Sequence, residues 1–120
     1  MRILGLLKAD RHAEAGTPPS PELLAKMGKF MEEIGRAGVL VATDALQPSS
    51  AGARVRLANG QLTVTDGPFT ESKELVASYA MFQVKSMAEA IEWTRRFLEV
   101  LGEGECELRP LFEAPDFPPQ

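Results

Sequence analysis

This sequence is poor in most of the features that mark a braced or highly charged protein. It has one cysteine, Cys106, so no internal disulfide can form. That fits a reducing compartment, and the expected location is the cytoplasm. It has one histidine, His12, and no clustered cysteines, which argues against a protein-only zinc site. Basic residues do not dominate. Thirteen Lys and Arg against seventeen Asp and Glu leave a net charge of −4. That argues against a nucleic-acid partner, which asks for a basic face, and against docking on an anionic membrane. No apolar run approaches the roughly 20 residues needed to span a bilayer. The apolar start, Met1 to Lys8, is too short for a signal peptide and lacks a small-residue cleavage site. Phosphate-cradling glycine loops, hydrolase nucleophile elbows and dinucleotide fingerprints are also missing.

The 120 residues present suffice for one domain with a hydrophobic core. Residues 1–113 are expected to form it, with 114–120 as a proline-rich tail. Residues 2–8 suit a buried strand, and residues 9–20 a loop. Ser20-Pro21-Glu22 is a helix start, with Ser as N-cap and Pro at the first helical position. Leu23, Met27, Phe30 and Ile34, flanked by Leu24 and Met31, form a core-facing stripe that Gly38 ends. A strand follows over 39–46, then a loop over 47–52. Arg54, Val55, Arg56 and Leu57 alternate ahead of Asn59-Gly60, and Leu62, Thr63, Val64 and Thr65 alternate after it, which predicts a type I′ hairpin. Residues 76–84 read as another strand. Ser86-Met87-Ala88-Glu89 is a capping box, with Met87, Ala90, Ile91, Thr94, Leu98 and Leu101 on the buried face of the helix it opens. Glu105 to Phe112 reads as the last strand. This order predicts an α+β ferredoxin-like sandwich with a mainly antiparallel sheet and two helices on one face. The other sheet face would draw apolar surface from Val55, Leu57, Met81 and Phe82 and be buried by a second copy, making a homodimer.

Ten residues, Thr65 to Glu74, combine turn dipeptides, a proline, an aromatic and four ionisable groups. Their structural role is a tight turn: Asp66 can bond its own backbone two residues on, Gly67 allows positive φ, Pro68 stiffens the exit and Phe69 plugs the core. Their chemical role would put Asp66, Glu71 and Lys73 around a cleft, with Asp66 as acid/base or ligand-orienting group. Arg54 and Arg56 share a strand face, which suits either a solvated edge or recognition of a carboxylate or phosphate. Arg54 and Lys73 would supply positive charge to a ligand, and Tyr79 would line its cleft, expected between helix face and sheet. His12 is a weaker catalytic candidate, a lone histidine in a loop. Cys106, between Glu105 and Glu107, has neighbours that raise its thiol pKa and argue against a nucleophile.

Together these residues resemble the DGPF-domain branch of the YCII-related proteins over nearly the whole chain. The resemblance rests on Gly38-Val39-Leu40 with Leu46-Gln47-Pro48, on Asp66-Gly67-Pro68-Phe69 with Glu71, Lys73 and Glu74, on Ser86, Glu89-Ala90 and Glu92-Trp93, and on Arg109-Pro110 with Phe112-Glu113 and Asp116-Phe117. It implies a ferredoxin-like protomer that pairs into a dimeric α/β barrel. The superfamily includes a dehydrochlorinase, and a histidine–carboxylate pair is a proposed centre in other branches. Here the first predicted helix has no histidine, and His12 lies upstream. The resemblance implies little about activity. The leading expectation is a small dimer that binds a polar or aromatic small molecule, with cofactor-free lyase or isomerase chemistry by proton transfer, and the alternative is a noncatalytic interaction module tied to extracytoplasmic-function sigma factors.

Overall fold

The computed structural model of the chain describes residues 1–70 and 74–113. Lys73, Glu71 and the 114–120 tail lie outside the described residues. The elements are β1 (Arg2–Lys8), α1 (Arg11–Glu14), α2 (Pro21–Arg36), β2 (Leu40–Ala45), β3 (Ala53–Ala58), β4 (Gln61–Asp66), β5 (Val76–Gln83), α3 (Met87–Leu101) and β6 (Cys106–Pro110), with a 3-10 turn at Ser49–Ala51.

Local chemistry sets most of these boundaries. The Ser20 hydroxyl accepts from the Leu23 amide at 3.1 Å and opens α2. Gly38, at φ +71°, ends it. The Ser86 hydroxyl accepts from the Glu89 amide at 3.2 Å, but Glu89 reaches back to the Lys85 amide, one residue beyond the expected partner. The hairpin turn has Asn59 at φ 52° and Gly60 at φ 76°, both in the left-handed region a type I′ turn requires. The 9–20 segment is not all loop. Asp10 accepts from the Ala13 amide at 2.9 Å and starts the single turn α1.

Four strands form one antiparallel sheet in the order β2-β5-β1-β6. With α2 and α3 this is a β-α-β-β-α-β order, compatible with a ferredoxin-like fold. The hairpin β3–β4 is a separate two-stranded sheet, inserted between β2 and β5. The expectation of one sheet is therefore corrected. The register places Ile3, Gly5 and Leu7 of β1 opposite Phe82, Ala80 and Ser78 of β5. Period-two alternation sends this set to the helix side. There Ile3, Phe30, Ile34, Val39, Phe82, Val84 and Ala90 form the buried core.

Two sequence expectations about faces change. Phe82 belongs to this core, not to the open face of the sheet. Its register partner Ile3 is buried there too, because residues directly opposite across a ladder share a face. Met81 does face the helix-free side, joined by Leu4, Leu6 and Tyr79. On α3, Ile91 is exposed, whereas Trp93 and Phe97 pack on the core. Met87, Ala90 and Thr94 of the expected stripe do sit on or in the core, and aromatic contacts extend it: Phe30 lies 6.2 Å from Trp93 and 6.1 Å from Phe97, ring centre to ring centre.

The hairpin stands away from this body. Val55, Leu57, Leu62 and Val64 are paired across it and are 57–72% exposed. The radius of gyration is 16.7 Å, against about 14 Å for a compact chain of this length. Val55 and Leu57 are apolar and exposed as the sequence suggests, but on a projecting ribbon instead of the main sheet.

Candidate functional site

At the base of the hairpin the chain folds back on itself. Ser49-Ser50-Ala51 make their 3-10 turn just before β3, and Gly67-Pro68-Phe69 follow β4. The Gly67 amide donates to the Gly52 carbonyl at 3.0 Å, and the Gly67–Pro68 peptide is cis. Gly67 lies against the Ser49 backbone, where any side chain would collide with the Ser49 carbonyl. The Phe69 amide donates to Ser49 Oγ at 3.1 Å. Pro68 has no N–H, so Asp66 cannot close a turn onto the residue two positions on. The clasp that closes this segment is instead made by Ser49.

Ser49 is held in turn by Glu14 at the end of α1. Glu14 accepts from the Ser49 amide at 2.9 Å and from its hydroxyl at 2.5 Å. These bonds, led by the hydroxyl, hold the Glu14 carboxyl below its ordinary value of 4.5. A carboxyl whose folded pKa is depressed contributes stability above its unfolded pKa. That contribution is complete above about pH 4.5 and fades as pH falls through the lower folded value. Ser49→Ala removes the hydroxyl from both partners and is expected to cost about 1 kcal/mol. Thermal melts of both chains at pH 7 and pH 3 check this. The gap between them should narrow in acid, and a gap unchanged with pH would dissociate Ser49 from Glu14.

Above this clasp lies an open cleft of about 540 Å³. Glu14, Ser49, Arg54, Phe69 and Glu74 line it, with Leu46, Pro48, Leu75 and Val76 as apolar wall. The Arg54 guanidinium sits 4.1 Å above the Phe69 ring centre and 3.6 Å from a Glu74 oxygen. The negative face of the ring attracts the cation and helps hold it there.

The sequence candidates divide among several places. Arg54 lines the cleft. Asp66 is exposed at the end of β4, opposite Ala53, and does not line it. His12 is exposed on α1 rather than in a loop. Tyr79 does not line the cleft either: alternation turns its side chain to the helix-free face, while β5 as a whole borders, on its other side, an apolar cavity of about 40 Å³ between helices and sheet. That volume holds about one water molecule and no aromatic ligand. The Tyr79 hydroxyl donates to Asp44 at 3.2 Å, which raises its pKa. Burial, then Glu105, raises the Cys106 thiol pKa. Among the described residues no three of His, Cys, Asp and Glu gather to hold a metal ion. No described helix is long and apolar enough to cross a membrane.

Sequence reasoning missed Glu14 and Ser49 as partners. They are 35 positions apart, and no periodicity links them. The Pro48-Ser49-Ser50 turn was visible, but not what its hydroxyl would meet.

Comparison with known proteins places the chain among relatives. The model of the YCII-related domain matches residues 1–114. An uncharacterised protein of Rhizobium meliloti (strain 1021) is 33% identical over 91 residues, which span 75% of this chain and 70% of that protein.

Proposed function

This chain belongs to the YCII-related family, and from that premise we propose that it is a homodimeric small-molecule-binding protein of the DGPF branch, with its site in the cleft over Phe69. The observation that carries this reading is the Arg54 guanidinium, 4.1 Å from the Phe69 ring centre, in a cleft with an apolar wall. A cation beside apolar surface is the usual composition of a ligand site.

Binding stands ahead of catalysis because the shifted groups run the wrong way. A general base works best with a pKa near the operating pH. Glu14, a carboxylate of the cleft, is held below its ordinary value and is a weak base. Tyr79 and Cys106 are pushed up, away from ready ionisation at neutral pH. Lyase or isomerase chemistry without a cofactor would fall to Asp66, with the ligand reaching past the rim of the cleft. Lys73 would add charge from the segment that follows.

The exposed aliphatic hairpin favours a second reading, a noncatalytic interaction module, of which sigma-factor regulation is one form. The helix-free sheet face, with Leu4, Leu6, Tyr79 and Met81, and the hairpin together supply apolar surface for the proposed second copy.

A thermal-shift screen of metabolites tests the binding reading, since a ligand at 100 times its Kd adds about 2.7 kcal/mol of apparent stability. Arg54→Ala should weaken a hit by about tenfold, the worth of one charged contact. Asp66→Asn, at an exposed position, should stay within about 0.5 kcal/mol of wild type in stability and keep the hit. If Asp66→Asn alone abolishes binding without changing the melt, the role returns to Asp66.

A further inference from the structure

The β3–β4 ribbon has two unlike faces. Register puts Val55 opposite Val64 and Leu57 opposite Leu62, so these four side chains share one face. Arg54, Arg56, Thr63 and Thr65 share the other. The polar face is turned to the protein's own body, because Arg54 reaches Phe69 and Glu74 in the cleft. The aliphatic face therefore points away from the body, and all four of its side chains are more than half exposed. A two-stranded ribbon alone is marginal in water, and a solvated aliphatic patch favours association. This ribbon lacks a cover from the described body.

We propose that the cover is the same face of a second copy's ribbon, and that this contact keeps β3 and β4 folded. The patch is complementary to itself. It carries a row of two valines beside a row of two leucines. Turned about a two-fold axis that lies between the rows, the leucines of one ribbon settle on the valines of the other, large on small. No charge lies within the quartet. The first on that face is Asp66, at the base where β4 ends. Strands of six residues give a face of roughly 20 by 10 Å, well below the roughly 800 Å² per partner of a standard interface. The contact is thus an accessory within a larger dimer. It rests on the homodimer reading, in which the helix-free sheet face supplies the remaining area. Between copies already paired there, the ribbons meet at high effective concentration, so a small patch suffices.

The test follows backbone amide hydrogen exchange of the full chain through a dilution series, with sedimentation velocity on the same samples. Amides of β3 and β4 are expected to exchange about tenfold or more slowly in the dimer than in the monomer. Leu57→Lys and Val55→Glu should each remove that protection, while sedimentation still reports a dimer and melting curves a folded body. Mixed together, the two variants set opposite charges face to face and should recover most of the protection. Thr63→Lys, on the polar face of the same ribbon, should leave it unchanged. A dimer whose ribbon amides exchange at the monomer's rate overturns the contact and leaves the homodimer reading standing. Variants that stay unprotected when mixed overturn the pairing of like faces. A wild type that sediments as a monomer at every concentration removes both this inference and the homodimer reading.

Discussion

Gly67→Ala is expected to lower the melting temperature by roughly 10 °C, or to leave the chain unfolded, because it overpacks backbone against backbone at a cost near the upper end of about 1–3 kcal/mol. A Cβ on Gly67 would occupy the space of the Ser49 carbonyl group, with the Ser50 amide nitrogen only 3.2 Å away. Neither is the tip of a flexible side chain, so relief requires moving the chain itself. Movement there breaks the Gly67–Gly52 hydrogen bond and draws Phe69 away from Ser49. The loss should therefore appear in ligand binding as well as in stability. Gly28→Ala is the matched control. Gly28 lies in α2 with nothing within 4 Å of an added Cβ, so alanine should stabilise by about 0.5–1 kcal/mol. A Gly67→Ala melt within about 2 °C of wild type, well under 1 kcal/mol, would mean that the close approach is not rigid.

Phe30→Ala should cost about 3–5 kcal/mol, the usual range for removing a buried aromatic ring. Phe30 is 6% exposed and joins α2 to α3 through Trp93 and Phe97. The Arg96 guanidinium lies 5.8 Å from its ring and pairs with Glu33 of the same helix. The cavity of about 40 Å³ already adjoins this ring, so its removal enlarges a void instead of letting the site collapse. Against a typical total of about 5–15 kcal/mol, the folded population would become marginal. Urea unfolding gives the number, and loss of the near-ultraviolet dichroism of Trp93 reports the broken seam. Leu24→Ala, on the same helix but 52% exposed, should cost less than about 1 kcal/mol. A Phe30→Ala cost below about 1.5 kcal/mol would show that the helix seam is not the core of the fold.

Much of the architecture could be read from residue pattern because it rests on short-range chemistry. Ser20-Pro21, Ser86 with Glu89, Asn59-Gly60 and Gly38 each act within a few residues, and each appears where its pattern placed it. Periodicity located β1, β5 and α2 for the same reason. What escaped is what depends on partners distant in sequence. Whether β3–β4 extends the main sheet or stands apart is decided by tertiary packing, which alternation does not encode. Ile91 fits the helical stripe as well as Trp93 does, but the Phe30 ring favours an aromatic neighbour. The cleft was legible only in part. Arg54 and Phe69 were visible as residues of interest, whereas the Glu14–Ser49 bond joins segments that nothing in the linear pattern relates. Asp66 drew attention because Asp-Gly-Pro-Phe is dense with turn signals. The geometry at that turn belongs to Gly67 and Ser49.

The projecting hairpin gives one chain two tiers of stability. Opening β1 or β5 breaks ladders on both sides and exposes the core, so their amides can exchange with solvent only through global unfolding. Opening β3 and β4 breaks one ladder and exposes side chains that already face water. The ribbon is thus free to unzip and re-form as its own cooperative unit while the sandwich stays intact. Arg54 rides on this ribbon, whereas Leu46, Leu75 and Val76 do not, so opening the ribbon is expected to withdraw the cation while much of the cleft wall stays.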